Sequence, residues 1–262
     1  MSKKMSEAGH PSTTNINNKW PDSVHHNSDA RLRLFCFGHA GSGASFFAEW
    51  WRQLPADIEV CPIQLPGRWS RWREEPMQDA VAVARALVGE LKREFAAKPF
   101  AFYGHSLGGL LAYETTVCLR EKACPLPRAL LVSGRRPPDA PLYREPLHNL
   151  SESALISGLA THYEALDPRL LSDLETKQIV LKVLRADLAM FETYRAPAVA
   201  PLDLPVLVFS ASNDKSAPPG EMLDWHRFSS HRIQHFTLDG DHFFVRNNEH
   251  FLRMLSERLS LL

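Results

Sequence analysis

Gly104-His105-Ser106-Leu107-Gly108 places a serine between two glycines, after the apolar run Pro99 to Tyr103 and before the helical pattern Leu107 to Glu121. A serine at a sharp turn from strand to helix is forced into a strained backbone conformation. Glycines two residues to either side relieve the crowding that side chains would cause there. Such an elbow holds the hydroxyl out at the edge of a sheet, where it can act as a nucleophile. A helix beginning at Leu107 also aims free N–H groups and its positive dipole end at any oxyanion formed on the attacked carbonyl. A glycine-rich turn carrying a solvated serine requires neither the β-type run before it nor the amphipathic helix after it.

A serine hydroxyl is a poor nucleophile at neutral pH unless a base takes its proton and a carboxylate orients that base. The expected chain order is serine, acid, histidine. His242 follows a strand in Leu238-Asp239-Gly240-Asp241-His242-Phe243-Phe244, where a glycine turn presents an imidazole at the sheet edge. His231 and His235 flank a β-type run with no third ligand nearby, so no metal site is expected. His226 falls in a surface helix pattern, and His148, His162 and His250 lack a turn that would aim them at the elbow. For the acid, Asp214 lies just past Val206-Leu207-Val208-Phe209-Ser210, at the carboxyl end of a core strand. Asp241 adjoins the base and is poorly placed for its Nδ1, Asp239 is a weaker substitute, and Asp203 lies at the wrong end of the strand.

The second oxyanion donor is expected in Gly38-His39-Ala40-Gly41-Ser42-Gly43, which makes the backbone N–H groups of Ala40 and Leu107 the candidate pair. This loop has no Gly-Lys-Ser/Thr ending to cradle a phosphate, and its Gly-x-x-Gly-x-Gly order is not the dinucleotide fingerprint.

The elements that must position these groups alternate. Arg31 to Phe37 reads as a strand, Phe46 to Leu54 as a short helix, and Ile58 to Leu65 as a strand closed by Pro66-Gly67. Residues 78 to 97 carry Val81, Ala84, Leu87, Val88, Leu91 and Phe95 at three- and four-residue steps, as an amphipathic helix requires. Further strands are read at Phe100 to Tyr103, Ala129 to Ser133, Val206 to Ser210 and Ile233 to Leu238, before a closing helix from Asn248 to Leu261. Apolar strands separated by helices imply a mainly parallel sheet flanked by helices, an α/β class. Between residues 139 and 202 the alternation stops: helices opening at Ser151-Glu152 and spanning Leu174 to Phe191 follow one another with no strand. An insertion leaving the carboxyl end of a strand lies over the site as a helical lid; the same stripes are also compatible with helices that extend the core.

The 262 residues are 44% hydrophobic, enough for one substantial core at residues 31–262, preceded by a polar segment, 1–30, read as a flexible tail. His25 and His26 in that tail are read as solvated. Thirty basic and thirty acidic side chains balance, so neither nucleic acid nor an anionic membrane is expected as a partner. Cys36, Cys61, Cys118 and Cys124 have no metal-ligand spacing and are read as free thiols of a reducing compartment. With no apolar leader in the first thirty residues, the expected location is cytoplasmic.

Several segments in one order resemble the type II thioesterases of nonribosomal peptide and polyketide synthesis, a branch of the α/β-hydrolase superfamily. They are Phe37-Gly38-His39-Ala40-Gly41, Gln64-Leu65-Pro66-Gly67-Arg68, Phe102-Tyr103-Gly104-His105-Ser106-Leu107-Gly108, Val132-Ser133-Gly134-Arg135-Arg136-Pro137, Leu184-Arg185-Ala186-Asp187, Glu192-Thr193-Tyr194 and Gly240-Asp241-His242-Phe243-Phe244. The resemblance runs from about Arg31 to Leu261. It implies an α/β-hydrolase fold with Ser106 as nucleophile, Asp214 as acid and His242 as base, and an enzyme that removes acyl groups from the phosphopantetheine arm of acyl or peptidyl carrier protein domains. No cofactor of its own is implied, since the phosphopantetheine belongs to the substrate. The acid loop departs from the family's usual Gly-Asp-x-Asp, reading Ala211-Ser212-Asn213-Asp214 and leaving one carboxylate. The first-strand loop has His-Ala-Gly-Ser-Gly where His-Ala-Gly-Gly is usual.

Arg68, Arg71, Arg73, Arg135 and Arg136 are candidates for a local patch that meets an acidic carrier or its phosphate, with solvated surface as the plainer reading. Trp69 and Trp72 between them belong either to a docking face or to packing under the lid. A small-molecule carboxylester hydrolase with the same triad, and a catalytically silent relative that docks on a synthase, are the competing functional readings.

Overall fold

The computed structural model describes residues 20, 21, 26–163 and 173–262. Six strands, β1 (Leu32–Phe37), β2 (Ile58–Pro62), β3 (Phe100–His105), β4 (Leu130–Ser133), β5 (Val206–Ala211) and β6 (Gln234–Leu238), form one sheet in the order β2-β1-β3-β4-β5-β6. Every neighbouring pair is parallel. Strands buried on both faces carry near-continuous apolar runs, and side chains alternate between the two layers they feed. Phe35, Phe37, Phe102, Val132 and Val208 pack toward α2 (Ala80–Ala97) and α3 (Leu107–Glu121). Leu34, Cys36, Tyr103, Leu131 and Phe209 pack toward α1 (Trp50–Gln53) and α7 (Glu249–Leu259). The fold is that of an α/β-hydrolase, with all six carboxyl strand ends along one edge.

Past that edge the ladder continues into the loops. Ser106 N–H donates to Ser133 O (2.9 Å), Gly134 N–H to Phe209 O (3.1 Å), Ser212 N–H to Leu238 O (2.8 Å) and Asn213 N–H to Gly240 O (2.9 Å). The turns after β3, β4, β5 and β6 are thereby stitched to one another, and side chains distant in sequence share one rim.

Three local readings change. The buried stripe of α2 uses Val83, with Val81 only partly buried. Residues 46–54 do not form one helix; a 3₁₀ turn at Ala44–Phe47 precedes α1, and the three-residue step sets the Phe47 and Trp50 rings edge to face at 4.9 Å. The strand read from Ile58 to Leu65 stops at Pro62, because Ile63 pairs with Pro21 and Gln64 N–H donates to Trp20 O at 2.7 Å.

That contact corrects the flexible-tail expectation as well. Trp20 is only 2% exposed, and the Arg71 guanidinium lies 4.4 Å from its ring centre, so an indole from the leading segment belongs to the core. His26 is exposed and pairs with Glu59 at 2.5 Å; residues 1–19 and 22–25, His25 among them, lie outside the described residues.

Between β4 and β5 the chain forms α4 (Glu152–Tyr163) and α5 (Leu174–Thr193), with residues 164–172 outside those described. Leu147, Leu155, Leu159, Leu181, Leu184 and Leu188 make a third apolar cluster, separate from both faces of the sheet. The same helices supply side chains to the cavity above the carboxyl edge. Among the described residues no helix is long and apolar enough to cross a membrane, and the four cysteines are buried and form no disulfide.

Trp20→Ala should lower the unfolding free energy by about 3 kcal/mol, the scale of a large aromatic truncated in a core. Urea denaturation reads this as a lower midpoint at unchanged slope; an unchanged midpoint would show that the leading segment adds nothing to the core.

Candidate active site

Ser106 has φ 55° and ψ −119°, a conformation that L-residues rarely adopt. Steric crowding on both sides accounts for it. A Cβ at Gly108 would stand 2.0 Å from Phe37 O, and one at Gly104 would stand 2.2 Å from Gly108 O, so α3 starts in contact with the ends of β1 and β3. Beneath the turn, Ser133 Oγ links Tyr103 Oη (2.6 Å) to His105 Nδ1 (2.9 Å), a polar knot inside an otherwise apolar layer.

The structure brings Ser106, His242 and Asp214 together. His242 Nε2 is 3.0 Å from Ser106 Oγ, and His242 Nδ1 is 2.8 Å from Asp214 Oδ2. Asp214 is 3% exposed, and its other oxygen accepts the N–H groups of Ser216 (2.8 Å) and Ala217 (3.0 Å). A carboxylate so held can only accept. Nδ1 of His242 therefore carries the proton, and Nε2 is left to accept the one on Ser106. Asp241 is occupied with Phe243 N–H at 2.7 Å, and Asp239 is exposed, so neither competes for the imidazole.

Two further histidines, given no role from sequence, wall this relay. His105 is fully buried and His39 lies among Phe46, Phe243 and His105. Burial, reinforced by the nearby His242 and Arg246, pushes His39 down to about 4 and His105 well below the ordinary histidine range. Both rings stay neutral at physiological pH, so no fixed imidazolium opposes a charge arriving on His242.

Leu107 is the first residue of α3, so its N–H has no acceptor within the helix. Ala40, Leu107, Ser106 and His242 line one cavity of about 700 Å³. Leu159, Val180, Val183, Leu184, Leu188 and Phe191 from α4 and α5 form its apolar wall. Ser106 thus opens onto an apolar chamber whose lining includes Ala40 and Leu107.

Arg68, Arg135 and Arg136 also line the cavity, but they do not form the exposed patch read from the sequence; their exposures are 4%, 8% and 7%. A desolvated guanidinium needs a carboxylate or an aromatic face. Arg68 is paired with Asp187 at 2.6 and 2.7 Å, Arg135 lies over the Phe191 ring at 4.3 Å, and Arg136 lies over Tyr143 and pairs with Glu221 at 3.3 Å. Arg71 is likewise buried and holds Glu74, whereas Arg73 is exposed over Trp72. Trp69 and Trp72 are exposed, Trp69 at the cavity wall. His231 pairs with Asp203 and His235 with Ser210, and among the described residues no group of three or more His, Cys, Asp or Glu is arranged to hold a metal.

The carboxylates of Asp187 and Glu192 on α5 stand in segments that carry the family resemblance but were given no role from sequence. Asp187 accepts Gly41 N–H at 2.7 Å as well as Arg68. Glu192 accepts the N–H groups of Leu147 (2.9 Å) and His148 (3.0 Å) and pairs with the His148 ring. One signal was present: Asp187 falls on the helical stripe of Val180, Val183, Leu184 and Phe191, and an acid on an apolar stripe needs a buried partner.

Residues 32–259 match the family model described as a thioesterase domain. Gramicidin S biosynthesis protein GrsT of Aneurinibacillus migulanus is 34% identical over 233 residues, which cover 89% of this chain and 90% of that protein. Among solved structures, the RedJ thioesterase from the prodiginine pathway of Streptomyces coelicolor superposes with a TM-score of 0.81 at 35% identity, covering 87% of this chain and 90% of its own. YbtT, a type II thioesterase from the yersiniabactin NRPS/PKS pathway, superposes with a TM-score of 0.78 at 26% identity over 90% of this chain and 96% of its own.

A histidine whose folded pKa is depressed protects the fold above its unfolded value, near 6.5, and that contribution is lost as pH falls below it. Stability should therefore drop as pH falls from 7 to 5 through the unfolded value, with His105 contributing in that direction. Urea titrations of His105→Gln at both pH values should show a correspondingly smaller loss; an identical pH dependence would mean that the ring is protonated in place.

Proposed function

The chain belongs to the thioesterase family, and from that premise we propose that it hydrolyses acyl thioesters carried on the phosphopantetheine arm of acyl or peptidyl carrier protein domains. Relatives in nonribosomal peptide and polyketide synthesis support this reading. The observation that carries it is the Ser106–His242–Asp214 relay, 3.0 and 2.8 Å per link, opening into a cavity with an apolar wall.

The reaction proceeds in two steps. His242 Nε2 takes the proton as Ser106 Oγ attacks the thioester carbonyl carbon, and the carbonyl oxygen, now negative, receives hydrogen bonds from the N–H groups of Ala40 and Leu107. Asp214 holds the imidazolium that forms, while His39 and His105 stay uncharged beside it. The C–S bond breaks, and the sulfur, a good leaving group because a thiol ionises near pH 8.5, takes the proton from His242 as it departs, which restores the neutral imidazole. Water then enters and gives a proton to the neutral His242 as it attacks the acyl-serine carbon, and the imidazolium returns that proton to Ser106 Oγ as the ester C–O bond breaks and the acid leaves. Thioesters make modest demands on general-acid help, so His242 can serve as base and acid in turn.

The substrate's arm supplies the only cofactor-like group in this scheme, and the protein itself uses none. The acyl chain lies against Leu159, Val183, Leu184, Leu188 and Phe191, and the carrier domain stays outside the cavity. With Arg68, Arg135 and Arg136 already paired or stacked, they shape the cavity wall, and the carrier is met by other surface groups.

Mass spectrometry of an acylated carrier protein incubated with the purified chain should show return to the free phosphopantetheine thiol. Ser106→Ala and Asp214→Asn should slow that reaction by about 10³-fold or more and about 10²- to 10⁴-fold respectively. An intact acyl carrier alongside rapid cleavage of p-nitrophenyl esters would replace this reading with a small-ester hydrolase, and failure of a fluorophosphonate to label Ser106 would leave a silent relative.

A further inference from the structure

We propose that Asp187, on the helix over the cavity, is a positioning residue for the oxyanion loop, holding the Ala40 N–H in its working orientation through Gly41; the inference rests on the hydrolytic role of Ser106 argued above. Asp187 is fully buried, and all of its partners lie outside its own helix. Oδ1 accepts from Arg68 Nη2 at 2.7 Å, and Oδ2 accepts both Arg68 Nη1 at 2.6 Å and Gly41 N–H at 2.7 Å.

Stability alone is a weak reason for this arrangement. Aspartate is a poor residue for a helix interior, and a buried ion pair of this kind is commonly no more stabilising than apolar side chains of the same volume. What the pair supplies is geometry.

The loop's peptide planes are fixed one by one. His39 C=O accepts Ser42 N–H at 3.0 Å and Ser42 Oγ–H at 2.7 Å. In the trans peptide that follows, this turns the Ala40 N–H to the opposite side, away from Ser42. Ala40 C=O in turn accepts from His39 Nδ1 at 2.9 Å, which the neutral ring allows, and the other end of that second peptide, Gly41 N–H, is held by Asp187. Two consecutive planes thus bracket the Ala40 donor, and three of the four anchors come from within the loop. The fourth comes from α5, and without it the Ala40–Gly41 peptide is held at one end only. Arg68 steadies the carboxylate and also reaches Ser42 O at 3.4 Å, tying the same guanidinium to the loop from its other side.

Removing the acid alone would strand Arg68 as a buried charge and confound the result, so the decisive comparison uses two double variants that lack both charges. Arg68→Met with Asp187→Asn keeps a carbonyl acceptor for Gly41 N–H; Arg68→Met with Asp187→Ala does not. With an N-acetylcysteamine acyl thioester, which needs no carrier docking, the Asn pair is the reference for kcat, since both pairs lose Arg68's tie to Ser42 O. The Ala pair should lose about tenfold to a hundredfold in kcat, short of the loss of a whole oxyanion donor, with KM changed by less than about threefold. Concentrations are set by folded protein from circular dichroism. Equal kcat in the two pairs, or a loss confined to KM, would overturn the positioning role. Should the native chain prove inactive on thioesters, the fluorophosphonate labelling rate of Ser106 still compares the two pairs, since the phosphoryl oxygen occupies the same hole; the same order sustains the inference, and equal rates overturn it.

Discussion

The site depends on a close approach of backbone to backbone. Where α3 begins, Gly108 lies so near the Phe37 carbonyl that no side chain fits between them, and the chain can leave β3 only by passing through a left-handed residue, Ser106. The same approach sets the loop after β1 beside the first turn of α3, so Ala40 and Leu107 face one cavity with Ser106. The placement of Ser106 and of both proposed donors follows from one steric fact. The strain at Ser106 is held from below by its N–H bond to Ser133 and by the Tyr103–Ser133–His105 knot, groups that cannot relax without giving up buried hydrogen bonds.

Buried carboxylates do the complementary work of joining elements far apart in the chain. Asp214 ties the loop after β5 to the imidazole after β6. Asp187 ties α5 to the loop after β1, Glu192 ties α5 to the chain at Leu147 and His148, and Glu114 receives Tyr194 Oη at 2.5 Å, which links α3 to the end of α5. Each is desolvated and each has N–H or O–H donors around it, as burial of an acid requires. Such contacts add modest net stability but are exacting in distance and angle, which is what an arrangement tolerant of about half an ångström needs.

The parts legible in the sequence were those whose cause is local. The elbow reads from five contiguous residues, the sheet from apolar runs of four to six, and Asp214 and His242 from their position one loop beyond a strand end. Trp20 was hidden because a single indole in a polar segment acquires a partner only when Arg71 and Gln64 fold beneath it. The arginines misled for the same reason. Clustering along the chain suggests a charged face, but Arg68 meets its carboxylate 119 residues away, and Arg136 meets Glu221 85 residues away. Val83 replaced Val81 because a helix of known period still has a free rotation, set by what it packs against. Pairing across long sequence separation leaves no local pattern, and Asp187 gave only the indirect sign of an acid on an apolar stripe.

The cavity's bounds are divided unequally between the two halves of the molecule. The sheet's edge furnishes Ser106, Asp214 and His242, whereas much of the apolar wall, including Leu159, Val180, Val183, Leu184 and Leu188, comes from helices with an apolar cluster of their own. Exchange of one aliphatic side chain for another there alters how long or how branched an occupant fits, while the strained turn, the imidazole and its acid keep their neighbours. On the proposed reading, what the cavity accepts can be retuned by repacking that one pair of helices, with the strained turn left as it is.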